Sequence, residues 1–191
     1  MTGSADAASS VLALLDRHPS PVAGPHLVAI DGPAGSGKTT LAGSVTRALA
    51  ALGRVAAVLH LDDLYDGWSE DLGGALQRRV IEQVLDPLSH GRAASWQRYD
   101  WLAGRFTEWI ELAPPEVLVV EGCGSGARAY ASYRPLLVWV EAPPSTRMAR
   151  GVARDGSSVI PHWLAWMESE QAHFEREGTR GRADLVLGTG P

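Results

Sequence analysis

Three observations predict an α/β fold built on a five-stranded parallel sheet with helices on both faces. The apolar runs are short and continuous rather than alternating, as in strands buried on both sides. Helical stretches separate them, the pattern of crossover connections. The first run is broken by a glycine-rich segment that opens directly into a helix. With 191 residues, 45% apolar and 20% charged, the chain suits one domain whose core needs neither disulfide nor metal.

Residues 1–25 read as a short helix, Ser10 to Arg17, and a Pro/Gly-rich linker, Pro19 to Pro25. The domain proper is expected over 26–191. His26 to Asp31 is its first strand, and Lys38 to Leu52 a helix stopped at Gly53. Val55 to Leu61 makes the second strand and Gly74 to Leu85 a helix ended by Pro87. Val117 to Glu121, Pro135 to Glu141 and Ala183 to Leu187 complete the five strands. Ser145 to Arg154 and His162 to Glu177 read as helices, the second with Trp163, Trp166, Met167, Glu170 and Phe174 along one stripe.

Acids outnumber bases 22 to 17, a net charge of −5, which argues against a general nucleic-acid binder. The single cysteine, Cys123, excludes an internal disulfide framework, and no apolar run approaches the ~18 residues of a membrane span. The expectation is a cytoplasmic protein with no nucleic-acid or membrane partner, its oligomeric state open and a homodimer one option. The six histidines show no metal-ligand pairing, and with Cys123 they read as structural. One count is sharper: sixteen cations are arginine and one is lysine, Lys38. Chance could leave one lysine anywhere, so its neighbours decide.

Those neighbours are Gly32-Pro-Ala-Gly-Ser-Gly-Lys-Thr39, which fits G-x-x-x-x-G-K-[ST] between a strand and a helix. Glycines let backbone amides converge on phosphate oxygens, and the helix points its positive end at the same anion. In this P-loop, Gly32, Ala34, Gly35, Ser36, Gly37, Lys38, Thr39 and Thr40 are the candidate nucleotide-binding residues. Lys38 would reach the β- and γ-phosphates and Thr39 would ligate Mg²⁺, making ATP and Mg²⁺ the expected cofactors. The Asn-Lys-x-Asp that reads guanine is excluded, because the only lysine is taken.

In doubly wound sheets the ligand lies beyond the carboxyl ends of the strands. Asp62, Asp63 and Tyr65 follow the second strand, Glu121 and Gly122 the third, and Glu141 the fourth. The carboxylates could hold Mg²⁺ or take a proton from an attacking hydroxyl, or simply cap a helix and end a strand in solvent. Glu141 reads as structural. Arg147, Arg150 and Arg154, at i, i+3 and i+7, share one helix face and are candidate catalytic residues of a lid over about 145–160; a solvated basic face is the alternative.

From about Leu27 onward the sequence resembles the uridine kinase, phosphoribulokinase and pantothenate kinase group of P-loop kinases, in its uridine-kinase-like branch. The motifs that carry the likeness are Gly32–Thr39, Asp62-Asp63-Leu64-Tyr65, Arg98-Tyr99-Asp100-Trp101, Glu121-Gly122 and Arg147/Arg150/Arg154-Asp155. The resemblance implies Asp62 as general base and water-mediated Mg²⁺ neighbour, Asp63 as the fallback, and Glu121 near Mg²⁺. It implies Asp63, Tyr65, Arg98, Tyr99 and Asp100 around the acceptor, and Gly188–Gly190 near adenine. Nucleoside-specific members carry a histidine beyond the Tyr-Asp-aromatic piece, where this chain has Leu102-Ala103-Gly104-Arg105. The insertion after the second strand also differs, as Asp66 to Asp71, so the acceptor need not be uridine or cytidine. Trp68, Trp96, Trp101 and Trp109 could stack on a ring or simply pack.

The expected function is ATP/Mg²⁺-dependent transfer of the γ-phosphoryl group to a hydroxyl of a small metabolite, a nucleoside or sugar-like compound being one class. The alternatives are a non-catalytic ATP-binding regulatory protein, a nucleotide- or shikimate-type kinase, which acceptor-facing Arg98 or Arg105 would favour, and an ATPase module acting on a partner protein.

Overall fold

The computed structural model describes residues 4–19 and 23–190. Helix α1 (Ser4–Leu15) precedes β1 (His26–Asp31), α2 (Lys38–Ala51) and β2 (Ala56–His60). α3 (Gly74–Val80) runs through a π-turn into α4 (Asp86–Ser89), followed by β3 (Ala94–Asp100) and β4 (Arg105–Leu112). β5 (Val117–Glu121), β6 (Leu136–Glu141), α5 (Pro144–Asp155), α6 (Ile160–Glu177), α7 (Thr179–Arg182) and β7 (Leu185–Gly188) complete the order. No helix among the described residues is long and apolar enough to cross a membrane.

The predicted five-stranded parallel sheet is present, in the order β2-β5-β1-β6-β7. β1 is central, and strand order reverses there: the chain crosses to β2 on one side, while β6 and β7 lie on the other. That switch opens a crevice beyond Asp31, in front of the loop that follows. Alternate residues of each strand feed opposite faces. Val28, Ile30, Val119 and Val138 meet Leu41, Val45 and Leu49 of α2 and Val11 and Leu15 of α1. Leu27, Leu59, Leu118 and Val120 meet Leu76, Val80, Val84 and Trp166. Burying each large apolar side chain stabilises by roughly 1.5–3 kcal/mol, so both faces must be covered, as the continuous apolar strands require.

The differences from the sequence reading are local. α1 begins at Ser4 rather than Ser10, because small helix formers with Asp6 in the first turn extend it. Its Val11 and Leu15 are buried in the α2 core, and the predicted linker lies partly on 20–22, outside the described residues. The helix from Gly74 continues past Pro87, because the π-turn Ile81–Leu85 leads into α4 with Pro87 in its first turn, where the missing N–H costs little. The β3–β4 antiparallel hairpin was not predicted. It pairs Ala94 with Leu112 and Asp100 with Arg105 and forms a separate two-stranded sheet.

Candidate active site

The loop 32–37 leaves β1 under close backbone constraint. A Cβ on Gly32, at φ +139°, would lie 2.0 Å from Val140 O, so only glycine lets the chain turn beside β6. Asp31, fully buried, accepts the backbone N–H groups of Gly32 (2.7 Å), Gly124 (2.9 Å) and Gly126 (2.8 Å). One carboxylate thereby fastens the P-loop to the turn after β5. Burial pushes the Asp31 pKa up to about 6, although these bonds and Lys38 pull it down.

Lys38 does not project freely. Its Nζ donates to Gly32 O (2.8 Å) and Pro33 O (3.0 Å), and Cys123 Sγ lies 3.6 Å away. Burial disfavours its charge, but Cys123, Glu121, Glu170 and Asp31 outweigh that and raise its pKa above the ordinary lysine value. Thr39 Oγ1 donates to Glu121 Oε1 at 3.0 Å. His60 Nδ1 donates to the same oxygen at 2.6 Å, and among the described residues no hydrogen bond falls on Oε2. Sequence reasoning passed over His60; the signal was its place as the last residue of β2, opposite Glu121 in the sheet. The Glu121 hydrogen bond raises the His60 pKa. Cys123, also read as structural, stands beside Lys38 with its thiol pKa pushed well up by burial.

Asp62 and Asp63 occupy a 3₁₀ turn directly after β2 and face different neighbours. Asp62 stays open to water, yet protein atoms surround it closely; that crowding, then Glu121, raises its pKa against the pull of Lys38, Arg154 and His60. Asp63 is also raised by burial, but its opposing cations are His60 and Arg98. Lys38 and Arg154 thus bear on Asp62 and Arg98 on Asp63, while His60 and Glu121 act on both.

The arginine face of α5 meets the loop, but its members differ. Arg147 is buried in an ion pair with Glu170 (2.8 Å), and its Nη1 also donates to Ala34 O (3.3 Å). It is therefore not a free lid charge. Arg150 donates to Gly35 O (3.1 Å), to Thr189 Oγ1 (3.0 Å) and to Gly190 O. Arg154 is exposed and paired with Asp155 at 2.7 Å. The terminal segment reaches the loop too, Thr189 Oγ1 donating to Ser36 O at 2.7 Å.

The residues that the resemblance assigned to the acceptor do not gather as expected. Tyr65 is buried, its hydroxyl donating to Cys123 O (2.9 Å) and its ring against Trp166, so it lines no open pocket. Asp100 accepts the N–H groups of Leu102 and Ala103, both at 2.9 Å, and serves the hairpin turn; those bonds lower its pKa. Arg98 is paired with Glu108 across the hairpin. Tyr99 packs edge-on between Trp101 and Phe106. Trp101 Nε1 donates to Asp62 O (3.0 Å), which brings the hairpin against the Asp62 turn, and Trp68 stacks on His162 and meets Trp101 edge-on. Glu141 accepts bonds from Trp139 and Arg180. No group of three His, Cys, Asp or Glu side chains among the described residues converges to hold a metal alone.

No curated protein matches the sequence. Solved structures share the fold at low identity. A possible uridine kinase from Bacillus stearothermophilus is 19% identical over 95% of this chain and 97% of its own, with a TM-score of 0.71. A protein described as a fructose transport system kinase, from Silicibacter sp. TM1040, is 20% identical over 94% and 98%, with a TM-score of 0.74. D-glycerate 3-kinase from Cryptococcus neoformans is 17% identical over 98% and 95%, with a TM-score of 0.63. The family model for the AAA domain matches residues 28–174, from inside β1 to the last turns of α6, and so takes in both the P-loop and the arginine helix that packs on it. The chain belongs to the AAA domain family.

Proposed function

We propose that the chain is an ATP- and Mg²⁺-dependent kinase that phosphorylates a hydroxyl group of a small metabolite, in the class of nucleosides and sugar-like alcohols. The observation that carries this reading is the meeting of Thr39 with Glu121 across the mouth of the P-loop, with Asp62 on the next strand end. Their donors are hard oxygens, which suits Mg²⁺, and among the described residues no hydrogen bond falls on Glu121 Oε2 or on the Asp62 carboxylate. When bound, Mg²⁺ would neutralise charge on the β- and γ-phosphate oxygens.

The loop amides and the start of α2 would hold the polyphosphate, and Lys38 would exchange the Gly32 and Pro33 carbonyls for phosphate oxygens. Asp62 would take the proton of the attacking hydroxyl; a carboxylate with a raised pKa is a better base than an ordinary one. Arg154, exposed beside its Asp155 partner, is the arginine freest to approach the transferring group, while Arg150 orients the loop at Gly35. The nucleotide- or shikimate-type alternative would need acceptor-facing cations. Arg98 is instead engaged by Glu108, and Arg105 stands opposite Asp100 at the hairpin end.

The test is a metabolite-library screen for ADP release, with the Asp62→Asn protein as blank. Release with an alcohol that vanishes in the blank supports the reading. ATP binding with no release against any acceptor supports the regulatory alternative.

A further inference from the structure

Two successive peptide units of the P-loop are fixed by one buried ion pair from outside the loop. Ala34 N–H donates to Glu170 Oε2 at 2.7 Å, and Ala34 O accepts from Arg147 Nη1 at 3.3 Å. Glu170 and Arg147 are joined to each other at 2.8 Å through Oε1, and they are 2% and 7% exposed. In a planar trans peptide the N–H and C=O point in opposite directions. Holding the Ala34 N–H toward Glu170 therefore turns Pro33 O the other way, where it accepts Lys38 Nζ at 3.0 Å. Holding Ala34 O toward Arg147 turns the Gly35 N–H away from α5 and α6. Gly35 has no slack, since a Cβ there would lie 2.8 Å from Arg147 O.

The pair is poorly suited to a purely stabilising role. Burying two charges costs much of what their attraction returns, and apolar residues of similar volume often serve stability as well or better. Apolar residues could not hold both polar atoms of Ala34.

We propose that Glu170, together with Arg147, is a positioning residue for nucleotide binding, setting the orientation of the Pro33–Ala34 and Ala34–Gly35 peptides before the polyphosphate arrives. This rests on the nucleotide-binding reading above and adds to it a role for a residue on α6, far from the motif in sequence. ATP affinity and the seating of α5 and α6 on the loop are then linked, because one ion pair serves both.

The test uses ADP with Mg²⁺ in calorimetric titrations of the unaltered protein, Glu170→Gln, and the volume-preserving double variant Arg147→Met/Glu170→Leu, each also followed through thermal unfolding. The double variant is expected to melt close to the parent yet bind ADP about tenfold more weakly or worse, and Glu170→Gln to lose a similar factor. A merely structural pair would move the melting point and leave ADP affinity unchanged. Affinity within about twofold of the parent in either folded variant overturns the proposal. Hydrogen exchange at the Ala34 amide of the unaltered protein decides independently of whether the variants fold: protection about a hundredfold or more over free peptide is expected, and fast exchange overturns the clamp. No heat with ADP in the unaltered protein would overturn the nucleotide reading and this one together. Tight binding in parent and variants alike would overturn only the clamp.

Discussion

Thr39 Oγ1 and Glu121 Oε1 stand 3.0 Å apart, joining the first turn of α2 to the last residue of β5 across the β1–β5 pairing. Glu121 ends a strand and Thr39 opens the helix that follows the P-loop, so their separation depends on how the loop seats α2 against the β1–β5 pair. His60 approaches the same oxygen, and among the described residues no hydrogen bond falls on Oε2. Glu121→Gln should therefore keep the shape of the site but lose its affinity for the cation. Titrating ADP with and without Mg²⁺ checks this: the metal should tighten binding to the parent and make little difference to the variant. An undiminished Mg²⁺ effect would remove Glu121 from the metal site.

Asp62 and Asp63 are adjacent, and their electrostatic neighbours separate them. His60 and Glu121 act on both, but Lys38 and Arg154 act on Asp62 and Arg98 on Asp63. Asp62→Asn should cut turnover by roughly two to four orders of magnitude with ATP binding retained, whereas Asp63→Asn should change it less than about tenfold. A base works in its deprotonated form. With the Asp62 pKa raised, the rate should fall on acidification at a higher pH than an ordinary carboxylate would give. The acid limb of the pH–rate profile measures this, and equal losses in the two variants would refute the separation.

Tyr65 tests how far the family resemblance carries over. Its hydroxyl is committed to Cys123 O at 2.9 Å in a buried setting. Tyr65→Phe should cost about 1–2 kcal/mol of stability by orphaning that carbonyl. The acceptor KM should not move. Denaturant unfolding and steady-state kinetics give the two readouts, and a raised KM with unchanged stability would restore Tyr65 to the acceptor site.

The five strands, the P-loop and the helices around it were legible because each obeys a local rule. Continuous Val/Leu runs mark a doubly covered sheet, and Gly32 to Thr39 requires a strand before it and a helix after it. The hairpin was missed because its apolar positions are largely aromatic and interleaved with charge, and because a register shift between Gln97 and Tyr99 breaks the two-residue alternation: Trp96 is buried, and Arg98, two residues on, is exposed. The roles of Arg147 and Glu170 were not legible at all. A helix face shows which residues lie together, not which neighbour will claim them, and the contact joins α5, α6 and the loop at separations no periodicity reports. Tyr65 and Asp100 fit their motif in sequence, and their polar atoms are consumed by backbone partners that only the tertiary fold supplies.

Asp31 gives a pH-dependent stability. Its pKa rises from 3.8 in the unfolded chain to about 6 in the fold, so between those values the folded state holds more protons. Stability should then fall as pH rises through that window and level off above it, by up to about 3 kcal/mol from this group. Urea unfolding at a series of pH values, compared with Asp31→Asn, isolates the contribution. The variant should lose the slope in that window while being less stable overall, because an amide offers one acceptor oxygen where three backbone N–H groups converge.

Gly151 lies inside α5, where glycine is otherwise unfavourable by roughly 1 kcal/mol relative to alanine. Space explains its presence. A Cβ there would fall 2.4 Å from Trp163 Cζ2 and 2.5 Å from Cε2, and Trp163 is itself 2% exposed with its ring 3.0 Å from where a Cβ on Gly35 would stand. The indole is thus wedged between the arginine helix and the P-loop and cannot yield without moving one of them. Gly151→Ala should gain helix propensity yet destabilise by about 1–3 kcal/mol, the usual cost of forcing an extra carbon into a packed core. It should also weaken ADP binding, since α5 carries Arg147 and Arg150 onto the loop carbonyls. Trp163→Phe in the same background removes the clashing ring atoms and should recover part of both losses. Thermal unfolding and ADP titration of the single and double variants check this, and a Gly151→Ala protein as stable as the parent would mean that α5 does not sit this close to Trp163.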